Sequence, residues 1–171
     1  TIKLTALKEG LMITIDATAL TFDTFRIPGV GQFPTHTPQV LDLAPGRYRF
    51  GTLYGAEFEF SVDDAGIVNY NKDLTFLTGT GTGVLTVLGC KIQVDATALT
   101  FDSFGLYDSA SGLNHCFPST SVQVARLIPG HYRFGTLYGA VFDFTVTNSC
   151  TVNYDPGLTF LTGAGTGVLT V

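Results

Sequence analysis

Asp16 and Asp23 stand seven positions apart, and two carboxylates that converge in a cleft can work as general acid and general base. On an uninterrupted strand an odd spacing sends them to opposite faces. Only an irregularity at residues 17–19, where the apolar phase of Met12 to Phe22 switches, would bring them together. His115 beside Cys116 offers an imidazole and a thiol, but a metal needs two further ligands, and His36 and His131 occupy unrelated positions. Asp63, Asp64 and Asp73 supply the oxygens a calcium ion favours, but their counterparts Thr147, Asn148 and Gly157 lack the charge, and a hairpin turn with solvated acids is the favoured reading. Gly79 to Gly83 is glycine-rich, yet it leads into a strand pattern and so lacks the helix N-terminus of a phosphate site. Gly-x-Ser-x-Gly, His-Glu-x-x-His and phosphate-loop motifs are all missing. The residues support no catalytic, metal or cofactor assignment.

Two arginines are the sharper polar feature. Arg49 and Arg133 each sit between a tyrosine and a phenylalanine, where a planar fork can grip a carboxylate or face a ligand. The structural expectation is that Arg49 pairs with Asp16 or Asp23 within its own sheet.

The elements that must position these groups are strands. Glu57 to Val62 alternates polar and apolar, as does Val141 to Val146, and Tyr48 and Phe50 alternate with Arg47 and Arg49. Turns are marked by Pro45-Gly46, Asp64-Ala65-Gly66, Pro129-Gly130 and Pro156-Gly157. No window carries a helical period with caps. Short strands with glycine and proline punctuation predict a β-sandwich or barrel.

The chain also repeats itself. Ile15-Asp-Ala-Thr-Ala-Leu-Thr-Phe-Asp23 returns at 94–102 with one change, and 30 of the 43 positions from Pro45 to Val87 are identical in Pro129 to Val171. The predicted fold is therefore all-β, with two tandem copies of an antiparallel sandwich or barrel unit, residues 1–84 and 85–171, related by a pseudo-two-fold. Leu4-Thr-Ala echoes the closing Leu-Thr-Val of each copy. It suggests either an extra edge strand or terminal strands that pair to close one barrel.

Comparing the copies separates shared from private residues. Polar residues kept in both are Asp16/Asp95, Asp23/Asp102, Arg49/Arg133, Tyr54/Tyr138 and Asn69/Asn153. The length difference falls between Phe25 and Phe33 and between Phe104 and Phe117, where the second segment is five residues longer. Loops on a rigid scaffold are where binding residues gather. Candidate ligand-binding residues are Arg26 and Gln32 on the shorter loop, Tyr107, Asp108, Asn114 and His115 on the longer, and Arg49 and Arg133.

Of the 171 residues 13% are charged and 45% hydrophobic, which excludes disorder. A net charge of −5 with nine basic residues excludes a phosphate-binding surface, so no nucleic-acid partner is expected. No apolar run is long enough to cross a bilayer as a helix. Three cysteines, Cys90, Cys116 and Cys150, allow at most one internal disulfide and leave a thiol. The leading expectation is a secreted, non-enzymatic binding module with two quasi-equivalent loop sites for a glycan or another cell-surface ligand, without cofactor. The alternatives are a β-barrel carrier of an apolar small molecule and a structural repeat of a surface protein, in which edge strands allow self-association.

Overall fold

The structure is a computed structural model and describes residues 10–52, 56–107, 114–136 and 139–171. All regular structure among them is β. The first half runs β1 (Leu11–Asp16), β2 (Thr24–Ile27), β3 (Gly31–Pro34), β4 (Gln39–Leu43), β5 (Gly46–Thr52), β6 (Glu57–Val62), β7 (Val68–Asn69), β8 (Leu77–Thr78) and β9 (Val84–Val87). The second runs β10 (Cys90–Asp95), β11 (Ser103–Tyr107), β12 (Asn114–Pro118), β13 (Gln123–Leu127), β14 (Gly130–Gly135), β15 (Val141–Val146), β16 (Val152–Tyr154) and β17 (Val168–Thr170). They form four sheets, ordered β4-β1-β9-β8, β3-β2-β5-β6-β7, β13-β10-β17 and β12-β11-β14-β15-β16.

Pairing in one half recurs in the other. β1 lies between antiparallel β4 and parallel β9, and β10 lies between antiparallel β13 and parallel β17. Register is kept as well, with Thr14 opposite Val84 and Gln93 opposite Val168. The structure adds three details to the sequence reading. The β1–β9 and β10–β17 ladders are parallel, so two of the sheets are mixed rather than wholly antiparallel. The phase switch after Asp16, read from the sequence as a bulge or bend, is a turn closed by Leu20 N–H to Ala17 O at 3.0 Å. Terminal β17 pairs with β10, and Leu4 to Ala6 lies outside the described residues.

Strict alternation explains where the core sits. Phe58, Phe60 and Val62 of β6 point inward between exposed Glu57 and Glu59, and Phe142, Phe144 and Val146 of β15 do the same. Aromatic stacks run across the strands: Phe25, Phe50 and Phe58 have centroids 4.7 and 4.9 Å apart, and Phe104, Phe134 and Phe142 are 4.8 Å apart at each step. Offset stacking adds to the burial of each ring, and removing one such phenylalanine costs about 3–5 kcal/mol. The glycine-rich loop is structural. Gly79 and Gly163 have φ of 101° and 103°, and a Cβ on either would run into the carbonyl of Val84 or Val168.

The two halves meet through unlike surfaces. From the first half, Thr21 N–H donates to Arg126 O at 3.1 Å, and Thr21 Oγ1 accepts from Arg126 N–H at 2.7 Å. Phe22 stacks on Tyr132 at 6.0 Å and meets the edge of His115 at 6.4 Å. Gly130 seats against Ala56 so closely that a Cβ there would lie 2.5 Å from the Ala56 Cβ. A two-fold axis would bury equivalent residues alike. Instead Phe22 is 2% exposed and its counterpart Phe101 37%, while Phe76 is 2% exposed and its counterpart Phe160 58%. The contact runs head to tail.

Candidate functional site

Polar side chains collect on the outer faces of the two five-stranded sheets, because β2, β5, β6 and their counterparts send every second residue away from the core. On the first sheet Arg49 lies opposite Glu59 across the β5–β6 ladder. Its guanidinium approaches Glu57 and Glu59 at 3.4 Å each. On the second, Arg133 lies opposite Asp143 and donates through Nε at 2.7 Å and Nη2 at 3.3 Å, a bidentate pair. That hydrogen bond, aided by the opposite charge, pulls the Asp143 carboxyl below its ordinary value and raises Arg133.

The expected partners of Arg49, Asp16 and Asp23, are therefore replaced by its cross-strand neighbours. Asp16 turns back on Thr18, accepting its N–H at 3.0 Å and its hydroxyl at 2.7 Å. Asp95 does the same with Thr97 at 3.1 and 2.6 Å, and these bonds hold its carboxyl below the usual range. Retention of this aspartate in both halves thus reflects a turn cap.

The loop candidates separate in space. Arg26 pairs with Gln32 across the β2–β3 hairpin and packs over Gly51, where a Cβ would lie 3.5 Å from Nε. Tyr107 stands opposite Asn114 and Arg133 and lies over Gly135, the counterpart of Gly51. A Cβ at Gly135 would come within 2.5 Å of the Tyr107 hydroxyl. Arg26 and Tyr107 are not sequence equivalents, yet each covers the equivalent glycine. Tyr107 and Arg133 thereby share one face. His115 is on the other side of its strand, against Phe117 at 4.8 Å and Phe22 of the first half, so it belongs to the junction. Asp108 and the Tyr54/Tyr138 pair lie outside the described residues.

A shallow groove at the β6–β7 edge recurs at matching positions. In the first half it is lined by Glu59, Ser61, Asn69 and Tyr70, with Arg47 of β5 opposite Ser61. In the second it is lined by Asp143, Thr145, Asn153, Tyr154 and Asp155. Each tyrosine hydroxyl accepts a backbone N–H, from Thr80 at 3.2 Å and from Ala164 at 3.3 Å, which fixes the ring at the groove wall. Of these residues only the Asn69/Asn153 pair stood out in the sequence comparison. The rest needed the alignment of the halves together with the strand register.

Among the described residues no three His, Cys, Asp or Glu side chains gather as metal ligands. The Asp63 carboxylate, a calcium candidate, accepts N–H bonds from Ala65 and Ile67 at 2.9 and 3.0 Å and closes the turn. Cys90 and Cys150 form a disulfide, and Cys116 is an exposed free thiol. No described helix is long and apolar enough to cross a membrane.

Neither a protein family nor a curated protein matches this sequence. Among solved structures the pilus adhesin SpaC from Lactobacillus rhamnosus GG is similar over 95% of this chain, at 16% identity and a TM-score of 0.36. The chain spans 30% of that protein's length, and the likeness is too loose to carry a function across.

Proposed function

We propose that this chain is a non-catalytic structural module of an extracellular surface protein, in which two copies of one β-sandwich unit are stacked into a single rigid body. The junction carries this reading. Phe22 contacts both Tyr132 and His115, one main-chain bond and one through the Thr21 hydroxyl tie Thr21 to Arg126, and Gly130 admits Ala56 at backbone distance. A flexible tether between independent domains would need none of these contacts. The disulfide supports an oxidising compartment and hence export.

Rotational diffusion by 15N relaxation tests it. The expected result is one anisotropic correlation time shared by both halves, separating into two when Phe22→Asp opens the junction. Independent tumbling of the halves in the unaltered chain would end the reading.

The recurring groove favours a second reading, that each unit also recognises a polar ligand such as a glycan. Carboxylate, hydroxyl, amide and tyrosine in one shallow trough match the donors and acceptors of a sugar, and two such sites on one body gain by avidity. Titration with a panel of oligosaccharides should shift the amides of Asn69, Tyr70, Asn153 and Tyr154 together. Unmoved amides across the panel dismiss this second role and leave the first intact.

A further inference from the structure

The second half carries an apolar groove of about 150 Å³, lined in part by Leu99, Phe101, Ala140, Phe142, Phe160 and Val171. Their first-half counterparts are Leu20, Phe22, Ala56, Phe58, Phe76 and Val87, and all six are buried or half-buried. Part of what covers that first-half surface is known from the junction: Tyr132 stacks on Phe22 and Gly130 seats on Ala56.

The covering surface has a counterpart too, in the first half. Ile128, Gly130 and Tyr132 correspond to Ala44, Gly46 and Tyr48. The shape is retained, since Tyr48 donates to Ala44 O at 2.6 Å just as Tyr132 donates to Ile128 O at 2.6 Å. Ala44 and Gly46 are exposed, whereas Ile128 is buried. Nothing local explains glycine at position 46: its φ is not positive, and the nearest atoms to a Cβ there are 3.9 Å away. At position 130 the same missing side chain is what lets the halves meet.

Building on the stacked-unit reading, we propose that the open groove of the second half docks the Ala44–Tyr48 face of a second copy of this chain, repeating the contact that already joins the two halves. Phe160 and Ala140 take the places of Phe76 and Ala56, and Thr100 stands ready for the main chain of Asp42 on edge strand β4, as Thr21 does for Arg126. Ala44 offers less apolar surface than Ile128, so the contact between chains is weaker and reversible where the internal junction is permanent. A head-to-tail contact between unlike faces does not stop at a dimer. It propagates as an open array, or a ring if the rotation closes.

Sedimentation analysis of the intact chain at concentrations up to about 1 mM, where weak interfaces are populated, tests this directly. The unaltered chain should show a ladder of species that grows with concentration. Phe160→Asp, at an exposed position, and Gly46→Arg, on the exposed Ala44–Tyr48 face, should each leave only monomer with an unchanged circular-dichroism spectrum. Mixing the two variants should restore a dimer and nothing larger, because each retains the face the other has lost. A strictly monomeric wild type, association unaffected by Gly46→Arg, or a mixture that grows past the dimer would overturn the proposal. If the monomer tumbles as one body yet never associates, this inference falls while the structural-module reading stands.

Discussion

Cys90 and Cys150, joined in a disulfide with their Cα atoms 5.1 Å apart, occupy the positions that Leu11 and Gly66 hold in the first half. There the same contact is made without a bond: a Cβ on Gly66 would lie 3.5 Å from the Leu11 Cβ, within the range of bridged cysteines. Both turn residues are left-handed, Gly66 at φ 76° and Cys150 at φ 60°. The second half has thus converted a packing contact into a covalent one between β10 and the β15–β16 turn.

Closing a loop of 60 residues restricts the unfolded chain by about 4 kcal/mol in the chain-entropy picture. Reduction should therefore lower the urea midpoint markedly. Restoring the first-half pair with Cys90→Leu and Cys150→Gly should recover part of the loss, since the glycine relieves the left-handed turn. In the converse direction, Leu11→Cys with Gly66→Cys should form a second bridge on oxidation. Thiol titration would then still count one free group, Cys116; a count of three would refute the equivalence.

Burial, not identity, sets the cost of removing a phenylalanine. Phe76 and Phe160 sit in the same local sequence, Leu-Thr-Phe-Leu-Thr-Gly, but only Phe76 is enclosed. Phe76→Ala should destabilise by about 3–5 kcal/mol and Phe160→Ala by about 1 kcal/mol, measured by urea denaturation of the monomer. Equal losses would show that Phe160 is covered as completely as Phe76.

A methyl group at position 130 should separate the halves. It would sit 2.6 Å from the Ala56 Cα, and backbone cannot step aside as a side-chain tip can. Gly130→Ala is expected to uncouple the halves in relaxation measurements and to cost about 1–3 kcal/mol of strain. Gly46→Ala, at the open counterpart, should change monomer stability by no more than about 0.5 kcal/mol.

The Arg133–Asp143 pair predicts a small pH effect of defined sign. The Asp143 carboxyl lies below its ordinary value in the folded state. Its contribution is therefore complete above the unfolded value, about pH 3.9, and is lost as pH falls through the folded one. Because Asp143 is largely exposed, the contribution is under about 1 kcal/mol. Asp143→Asn should be slightly less stable than wild type at neutral pH and indistinguishable from it at about pH 2. A gap that persists in acid would mean that the residue acts through packing.

Much of the fold was legible because alternation and repetition are local properties. Phe58-Glu59-Phe60 can be read as a strand with one wet face from three letters, and the near-identical segments at 15–23 and 94–102 must meet similar backbones. The loop-length difference was also placed correctly, at what proved to be the β2–β3 and β11–β12 hairpins. The partners of Arg49 were not legible. Cross-strand register brings Glu57 and Glu59 to it, and register depends on which strands pair. His115 was assigned to a binding loop from its neighbours in the chain, but strand parity turns it inward to Phe22, 93 positions away.

Composition, period-two patterning and duplication were enough to establish an all-β chain that builds similar sheets twice, because these follow from side chains and their immediate neighbours. Which faces of those sheets touch was decided only in three dimensions. Phe22 and Phe101 are the same residue in nonapeptides that differ only in Ile15 against Val94, and nothing in that difference foretells their burial. One is sealed by Tyr132 while the other stands at the surface, since burial is conferred by whatever arrives from elsewhere in the chain.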